Sequence, residues 1–486
     1  MASNSLSAHS LARLLGQWRG ASSSEPAYRL LANALRMLII DGRVAVGVRL
    51  AGEREFSRSI GVSRTTISAA YDQLRDAGYL LSKRGSGSIT RLPVAHSTSD
   101  QFVETEGPMR SIDWTSAALP APAGMWHAYE EALARLPGWL SGIGYETLGI
   151  PCLREAIARD YDRRGCPTQP DQILVTSGAQ SGLSLILRAL AGPGDRVVVE
   201  HPTYHNALSA ILRNNCQPVP VGFPDDGWDL GALAAAIRQT RPRLAYLIPD
   251  FHVPTGRLMG EQSRRDLVAT AKETRTPIVI DETMAETGFD TRTVPPVASN
   301  DPEGHTIITI GSASKRFWGG LRIGWIRASE QRIAEFCRLR AVLDMATPVL
   351  EQLALTVLFE RDAGATERRR TLRARCDRLA ALLSEALSDW KVTIPDGGLS
   401  LWVELPWPGA TAITATSHSM GLRLGAGPRF GLDGAFERFL RLPFTLSETE
   451  ISVAVDRLAR ADAHLRRRSG NSFSSPLWDV DSMRLI

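Results

Sequence analysis

From residue 112 onward, short apolar runs alternate with helical segments, and no other feature of this 486-residue chain restricts its fold as strongly. Such alternation demands an α/β domain built on a largely parallel sheet. Strands are expected at residues 173–176, 196–200, 244–248, 278–280 and 306–310. Chemistry in such sheets gathers beyond the carboxyl ends of the strands. Each of the five runs ends in a group able to do work. The first leads into Ser177-Gly178-Ala179-Gln180-Ser181-Gly182, small residues that open a helix and offer backbone N–H groups to a phosphate. After the second comes His201-Pro202-Thr203-Tyr204, whose tyrosine can stack on a planar ring; after the third, Pro249-Asp250-Phe251-His252-Val253-Pro254-Thr255-Gly256. The fourth leads into Asp281, and the fifth into Ser312-Ala313-Ser314-Lys315, with Arg322 seven residues on. Any one of these reads equally well as a turn or a cap. Five at successive strand ends do not.

Lysine is scarce: it occurs only at Lys83, Lys272, Lys315 and Lys391, with arginine supplying nearly all positive charge. A lysine ammonium can be desolvated and made nucleophilic, whereas a guanidinium stays protonated and cannot form a Schiff base. Phosphate cradle, aromatic, carboxylate, lysine and arginine together describe a pyridoxal-phosphate site. Lys315 is the expected Schiff-base lysine and Asp281 the partner of the ring nitrogen. Ser312, Ser314 and Arg322, with Gly178, Ala179 and Gln180, are expected around the phosphate, and Tyr204 on the ring. The five cysteines are scattered and form no Cys-x-x-Cys pair, which points to reduced thiols in a cytoplasm and to no metal site. No apolar run is long enough to span a bilayer, and the N-terminus lacks a basic segment followed by an apolar core, so neither membrane anchor nor signal peptide is expected.

Residues 26–92 read differently. Of a net charge of +4, this stretch carries a surplus of six positive charges, which leaves the rest near −2. A helical period runs through Leu30, Leu31, Ala34, Leu35, Leu38 and Ile39 up to Asp41-Gly42. A second helix fits residues 53–60, and Ser63 caps a third that ends at Gly78. Two strands joined by Lys83-Arg84-Gly85-Ser86-Gly87 complete a winged helix-turn-helix. Its third helix would enter a major groove with Ser63, Arg64, Thr65 and Thr66. Arg54 and the wing residues Lys83, Arg84 and Gly85 are the further expected DNA contacts. Residues 1–25 form an N-terminal extension with one short amphipathic segment, 93–112 a flexible linker, 113–470 the large domain and 471–486 a tail.

The runs Arg49-Leu50-Ala51-Gly52-Glu53-Arg54-Glu55, Gly61-Val62-Ser63-Arg64-Thr65-Thr66 and Ala70-Tyr71-Asp72-Gln73-Leu74-Arg75-Asp76-Ala77-Gly78-Tyr79-Leu80 resemble the GntR family of bacterial regulators. One departure is Ala51-Gly52, where that family usually shows Pro-Ser. The large domain resembles a fold-type-I aminotransferase. Gly144-Tyr145-Glu146-Thr147-Leu148-Gly149 fits that family's entry segment and Phe439-Leu440-Arg441-Leu442-Pro443-Phe444 its small domain. The combination is similar to the MocR subgroup of regulators. That resemblance implies a homodimer in which Tyr145 reaches the partner subunit's cofactor, and an effector's α-carboxylate held by Arg441. On the residues alone, Arg441 fits a surface strand equally well.

Two departures bear on catalysis. The aminotransferases carry an asparagine before the Pro-Thr-Gly, bonded to the cofactor's 3′-oxygen; here Val253 stands there, and only the neighbouring His252 could replace it. A tyrosine that often follows the ring-nitrogen aspartate by two residues is here Thr283. The expectation is a cytoplasmic transcription regulator that binds operator DNA, pyridoxal phosphate and a small amine or amino-acid effector, with at most weak transaminase activity. The alternative is a working aminotransferase with a vestigial head.

Overall fold

The computed structural model describes residues 5–16, 18, 25–40, 43–44, 47–83, 87–91, 111–122, 124–224, 227–290, 294–361 and 365–468. The wing residues Arg84 and Gly85, nearly all of the expected linker, and the tail lie outside the described residues.

Among the described residues, the N-terminal unit holds four helices, α1 (Ala8–Leu15), α2 (Ala27–Ile40), α3 (Glu53–Ile60) and α4 (Arg64–Asp76), followed by the strands β1 (Leu80–Lys83) and β2 (Gly87–Thr90). Its core is Leu11, Leu31, Leu35, Leu38, Phe56, Ile67, Tyr71 and Leu74, all buried. Helix α1 lies within the expected N-terminal extension, residues 1–25. Helix α1 belongs to this unit: Ala8, Leu11 and Leu15 fall on one side of it and fill the gap beside α2 and α3. The Leu6 amide also donates to the Arg49 carbonyl at 2.9 Å. An amphipathic segment of eight residues is too short to stand alone in water, so burial of its apolar face is what keeps it helical.

Strands β1 and β2 form an antiparallel hairpin running from Leu80 opposite Thr90 to Lys83 opposite Gly87. Buried Thr90 anchors it: its hydroxyl accepts from the Val48 amide (3.0 Å) and donates to the Val48 carbonyl (3.1 Å). The wing is thus tied to the segment that leads into the second and third helices of the motif.

The large domain opens with β3 (Ile112–Asp113), which pairs in parallel with Leu422–Arg423, so structure begins inside the expected linker. Next come β4 (Ile173–Thr176), β5 (Arg196–His201), β6 (Gln217–Gly222), β7 (Leu244–Leu247), β8 (Ile278–Asp281), β9 (Ile307–Ser312) and β10 (Gly324–Arg327). They form one seven-stranded sheet in the order β4-β10-β9-β8-β7-β5-β6, parallel except for β10. Alternate residues feed opposite faces, as the pleat requires. Val198, Ala245, Leu247, Ile278 and Ile280 face one helical layer; Val197, Val199, Leu244, Tyr246 and Val279 face the other. Because both faces are covered, the strands are apolar runs rather than alternating ones. A smaller antiparallel sheet orders Lys391–Val392, Ser400–Glu404, Phe439–Pro443 and Gly425–Ala426.

Helix α2 rests on the small-domain helix Ala410–Ser419, where an Arg36 Nη reaches the Ala415 carbonyl at 3.5 Å. No helix among the described residues is long and apolar enough to cross a membrane.

Candidate functional site

The carboxyl edge of the large sheet collects the side chains that chemistry would need. β9 ends at Ser312, whose hydroxyl accepts from the Ser314 amide at 3.1 Å and so caps the single helical turn Ala313–Arg316. That cap fixes where Lys315 emerges. Its Nζ donates to the Ala117 carbonyl at 2.6 Å. Burial, the positive charge of Arg441 and, more weakly, that of Arg322 bring the Lys315 ammonium down to about 8, against the pull of Asp281. A lysine in that condition spends far more time as the free amine than an exposed one does.

Asp281 closes β8 beneath the same edge. Its carboxylate accepts from the Tyr246 hydroxyl at 2.6 Å and from the Thr283 amide at 2.8 Å. Burial is the dominant influence and raises its pKa, which the bonds from Thr283 and Tyr246 partly offset. Tyr246 supplies a hydrogen bond that the sequence reading missed. Its signal was a single aromatic in the strand Leu244–Leu247, indistinguishable there from core filling.

Arg322 takes a left-handed backbone (φ 53°) just before β10 and turns its guanidinium toward the loop after β4. One Nη lies 3.4 Å from the Ser177 carbonyl. Gly178 has φ 95°, and a Cβ there would sit 2.6 Å from that same guanidinium. Only glycine lets backbone and arginine come this close. The helix Ala179–Leu190 starts at the next residue, and its first amides, those of Ala179 and Gln180, have no acceptor within the helix. Bare amides, a helix N-terminus and a guanidinium at one point make an anion cradle.

Tyr204 follows β5, accepts from Asn206 at 2.9 Å and meets His205 edge-on at 5.1 Å. Arg441 lies on Phe439–Pro443, opposite Trp402 in the small sheet, and is only 6% exposed. It is no surface strand residue. One Nη donates to the Thr115 carbonyl, and its guanidinium lies over the Phe430 ring at 5.4 Å. Burial first, then the charge of Arg429, hold it down to about 10. Thus three consecutive carbonyls cover the pocket: Thr115 toward Arg441, Ser116 toward the Thr445 hydroxyl (3.4 Å), and Ala117 toward Lys315. Nothing in the sequence of this stretch announced that role.

His252 does not join them. Its Nδ1 lies 2.8 Å from the Thr255 hydroxyl, its Nε2 lies 3.3 Å from Glu200, and its ring stacks on Phe223 at 4.2 Å with 12° between planes. Glu200 serves the opposite face of the sheet, together with Trp228 and the Ile248 amide. The expected substitution of His252 for the missing asparagine is therefore corrected: the imidazole is committed elsewhere. The hydroxyl of Thr283 is buried beside the Asp281 carboxylate, whose pKa it helps to lower.

The residues fit pyridoxal phosphate. Gly178, Ala179, Gln180 and Arg322 offer a cradle that a Cβ would fill. Lys315 offers a desolvated amine and Asp281 a buried carboxylate.

In the N-terminal unit, Ser63 caps α4: its Oγ accepts from the Thr66 amide (3.1 Å) and lies within 2.8 Å of the Thr65 and Thr66 hydroxyls. Ser63, Arg64, Thr65 and Arg54 are exposed, and Thr66 is half-buried. Arg64 is held to Glu53 of α3 by an ion pair of 3.3 Å. Gly52, at the cap of α3, makes no side-chain bond, as the departure from Pro-Ser implied.

Comparison with known proteins bears on both parts. The model of the aminotransferase class I and II family matches residues 143–458, and that of the gntR family of bacterial regulatory proteins matches 27–89. The probable rhizopine catabolism regulatory protein MocR of Rhizobium meliloti is 30% identical over 408 residues, covering 77% of this chain and 81% of MocR. YisV of Bacillus subtilis, an uncharacterized HTH-type transcriptional regulator, is 27% identical over 430 residues, 80% of this chain and 86% of YisV. Among solved structures, the α-aminoadipate aminotransferase LysN of Thermus thermophilus, complexed with N-(5′-phosphopyridoxyl)-L-leucine, superposes with a TM-score of 0.66 at 27% identity. It covers 73% of this chain and 92% of LysN.

Proposed function

The chain belongs to the class I and II aminotransferase family and joins that domain to a gntR-family head, and from this premise we propose that it is a MocR-type transcription regulator. It binds duplex DNA through the head, and pyridoxal phosphate and an amino compound through the body. The observation that carries this reading is the coexistence, in one chain, of a capped α4 with Ser63, Arg64 and Thr65 in solvent and a desolvated Lys315 facing Asp281 and Arg322.

When bound, pyridoxal phosphate supplies an aldehyde that captures amines and a ring that withdraws electrons. The chain's own part is to hold and to orient. Arg322 and the amides of Ala179 and Gln180 would take the phosphate. Asp281, kept in place by Tyr246, would face the ring nitrogen, and Tyr204 would lie along the ring. Lys315 would give its amine, and Arg441 would take the effector's carboxylate as a forked pair. Val253 brings no polar group to the ring's oxygen and Thr283 brings only a short one, so proton movement at that point is poorly supported. Transamination should be slow for this reason, while binding is intact.

Tyr145 is 58% exposed, and Trp126, Leu140 and Ile143 are 70%, 71% and 86% exposed. So many exposed large apolar side chains favour a homodimer, with Tyr145 lent to the partner subunit's site. A cytoplasmic location suits a DNA-binding protein with unpaired thiols.

The test is retardation of the duplex upstream of the chain's own gene, at fixed ionic strength, with and without pyridoxal phosphate and candidate amines. Retardation that changes on adding either ligand supports the regulator. No retardation of any duplex, with steady transamination at ordinary enzyme rates, would replace it with the enzyme reading.

A further inference from the structure

Lys315 and Asp281 stand on separate segments, yet the residue after each of them is tied to one and the same helix. The helix Pro151–Arg163 packs on the face of the large sheet opposite to Tyr246, where its Ala156, Ile157 and Tyr161 join Ile278 and Ile280 of β8. The Asp160 carboxylate accepts from an Arg316 Nη at 2.9 Å and from an Arg163 Nη at 2.8 Å. One turn on, an Arg164 Nη donates to the Glu282 carboxylate at 3.0 Å. Both pairs are shielded from water: the Asp160 and Glu282 side chains are 7% and 2% exposed, those of Arg316 and Arg164 14% and 18%. Removing one member of such a pair leaves a buried charge unmatched.

The two ties aim the two functional groups. Ile278 and Ile280 face this helix, while Val279 faces the other layer with Tyr246. Continuing the pleat, Asp281 falls on the Tyr246 side, where it meets that hydroxyl, and Glu282 on the helix side, where it meets Arg164. The Glu282 amide still donates to the Ile310 carbonyl at 2.9 Å, so the alternation holds one residue past β8. In the turn Ala313–Arg316, neighbouring side chains diverge by about 100°. Drawing Arg316 onto Asp160, near the Phe359 and Phe317 rings at 4.9 and 5.1 Å, therefore leaves Lys315 directed elsewhere, toward Ala117. A single turn cannot hold its own shape in water. Once a cofactor takes the Lys315 amine, the bond to Ala117 is gone, while the pair between Arg316 and Asp160 persists. We propose that Asp160 and Arg164 are positioning residues: from one helix they set where Lys315 and Asp281 stand relative to each other, and so the span that pyridoxal phosphate has to fit. This rests on the proposed function for the places of the cofactor's aldehyde and ring nitrogen.

The experiment reads the two ties separately in the full chain. Labelling of Lys315 by acetic anhydride is followed against pH in the cofactor-free protein, by the mass of its peptide, with Lys272 and Lys391 as internal references. The unaltered chain should show a midpoint of about 8. In Asp160→Asn, and equally in Arg316→Gln, the loosened turn should expose the amine and raise that midpoint by about one unit. The two changes together should do no more than either alone, and Asp160→Glu, which keeps the charge, should restore most of the shift. Binding of 4′-deoxypyridoxine 5′-phosphate, which has no aldehyde for the amine to capture, should stay within about twofold in these variants. Arg164→Gln combined with Glu282→Gln removes both charges of the other tie and leaves none unmatched. It should weaken that ligand about tenfold by displacing Asp281, without raising the Lys315 midpoint. A midpoint and a ligand affinity that both stay in place, with only the unfolding temperature lowered, overturn the proposal, since the pairs then merely support the fold. So does equal damage to both readouts in every variant. A chain that binds no pyridoxal phosphate refutes the underlying reading, and the labelling of Lys315 in Asp160→Asn and Arg316→Gln then decides this one.

Discussion

The head and the body solve the problem of placing functional groups in opposite ways. In the head, the side chains proposed to face DNA are neighbours in sequence, and one hydroxyl, Ser63 Oγ, sets the start of the helix that carries them. In the body, Lys315, Asp281, Gly178 and Arg441 come from four separate segments and meet only because the sheet brings its strand ends together. A contiguous site needs a cap. A dispersed site needs a whole core to hold it. The head's surface should therefore respond to changes within a few residues, whereas the body's pocket should respond to changes in strands and loops far from the lysine.

The sharpest way to break this comparison is Lys315→Ala. Covalent attachment of pyridoxal phosphate, read as the mass fixed on the chain by borohydride, should vanish, while retardation of DNA by the cofactor-free protein should stay within about twofold because the sites are separately built. Label that persists would remove Lys315 from its role. Arg64→Ala runs the other way: a loss of about 1–3 kcal/mol in DNA affinity at fixed salt, with cofactor attachment unchanged. Equal damage to both readouts would mean that the head and the pocket are not separable.

Tyr246→Phe probes the dispersed site at a distance. Removing the donor to buried Asp281 should cost about 1–3 kcal/mol in unfolding free energy and loosen the cofactor, and an unchanged midpoint would show that the 2.6 Å bond is not sustained. The pH dependence of attachment gives a gentler readout. The Lys315 value of about 8 lies below its ordinary 10.5, so the unfolded chain binds the proton more tightly than the folded one. Burial of this lysine thus penalises the fold most below about pH 8, and that penalty fades as pH rises toward 10.5. The rate of cofactor attachment should climb through about pH 8; a midpoint near 10 would mean an exposed amine. Gly52→Ser, restoring a hydroxyl at the empty cap of α3, should add only a few tenths of a kcal/mol to the head's stability. A larger gain would show that the gap at α3, and not the core, limits the head.

The same contrast explains what was legible beforehand. The head could be read almost to the residue, because caps, breakers and helical periods are local signals; the hairpin and the start of α4 lie where they were expected. Five of the seven strands of the large sheet were equally visible, since each pairs an apolar run with a small-residue or charged terminus; Gln217–Gly222 and Gly324–Arg327 were not expected. What escaped depends on long-range geometry. Tyr246 looked like any strand aromatic, and residues 115–117 act through their carbonyls, which side-chain identity does not reveal. His252 was misassigned because the preceding Phe251 has φ 47°, a turn that sends the imidazole to the Glu200 side of the sheet. Helix α1 was left outside the head because eight residues of periodicity do not say which neighbour receives them.

The carbonyls of Thr115 and Ala117 accept from Arg441 and Lys315, the two cations proposed above for effector and cofactor. Occupancy is therefore an exchange: each ligand that takes Lys315 or Arg441 releases one hold on this short strap. The strap starts two residues after Ile112–Asp113, where the chain enters the body from the head. If unfastening the strap shifts how the head engages DNA, then DNA must shift the ease of unfastening by the same factor, since such a coupling has one magnitude in both directions.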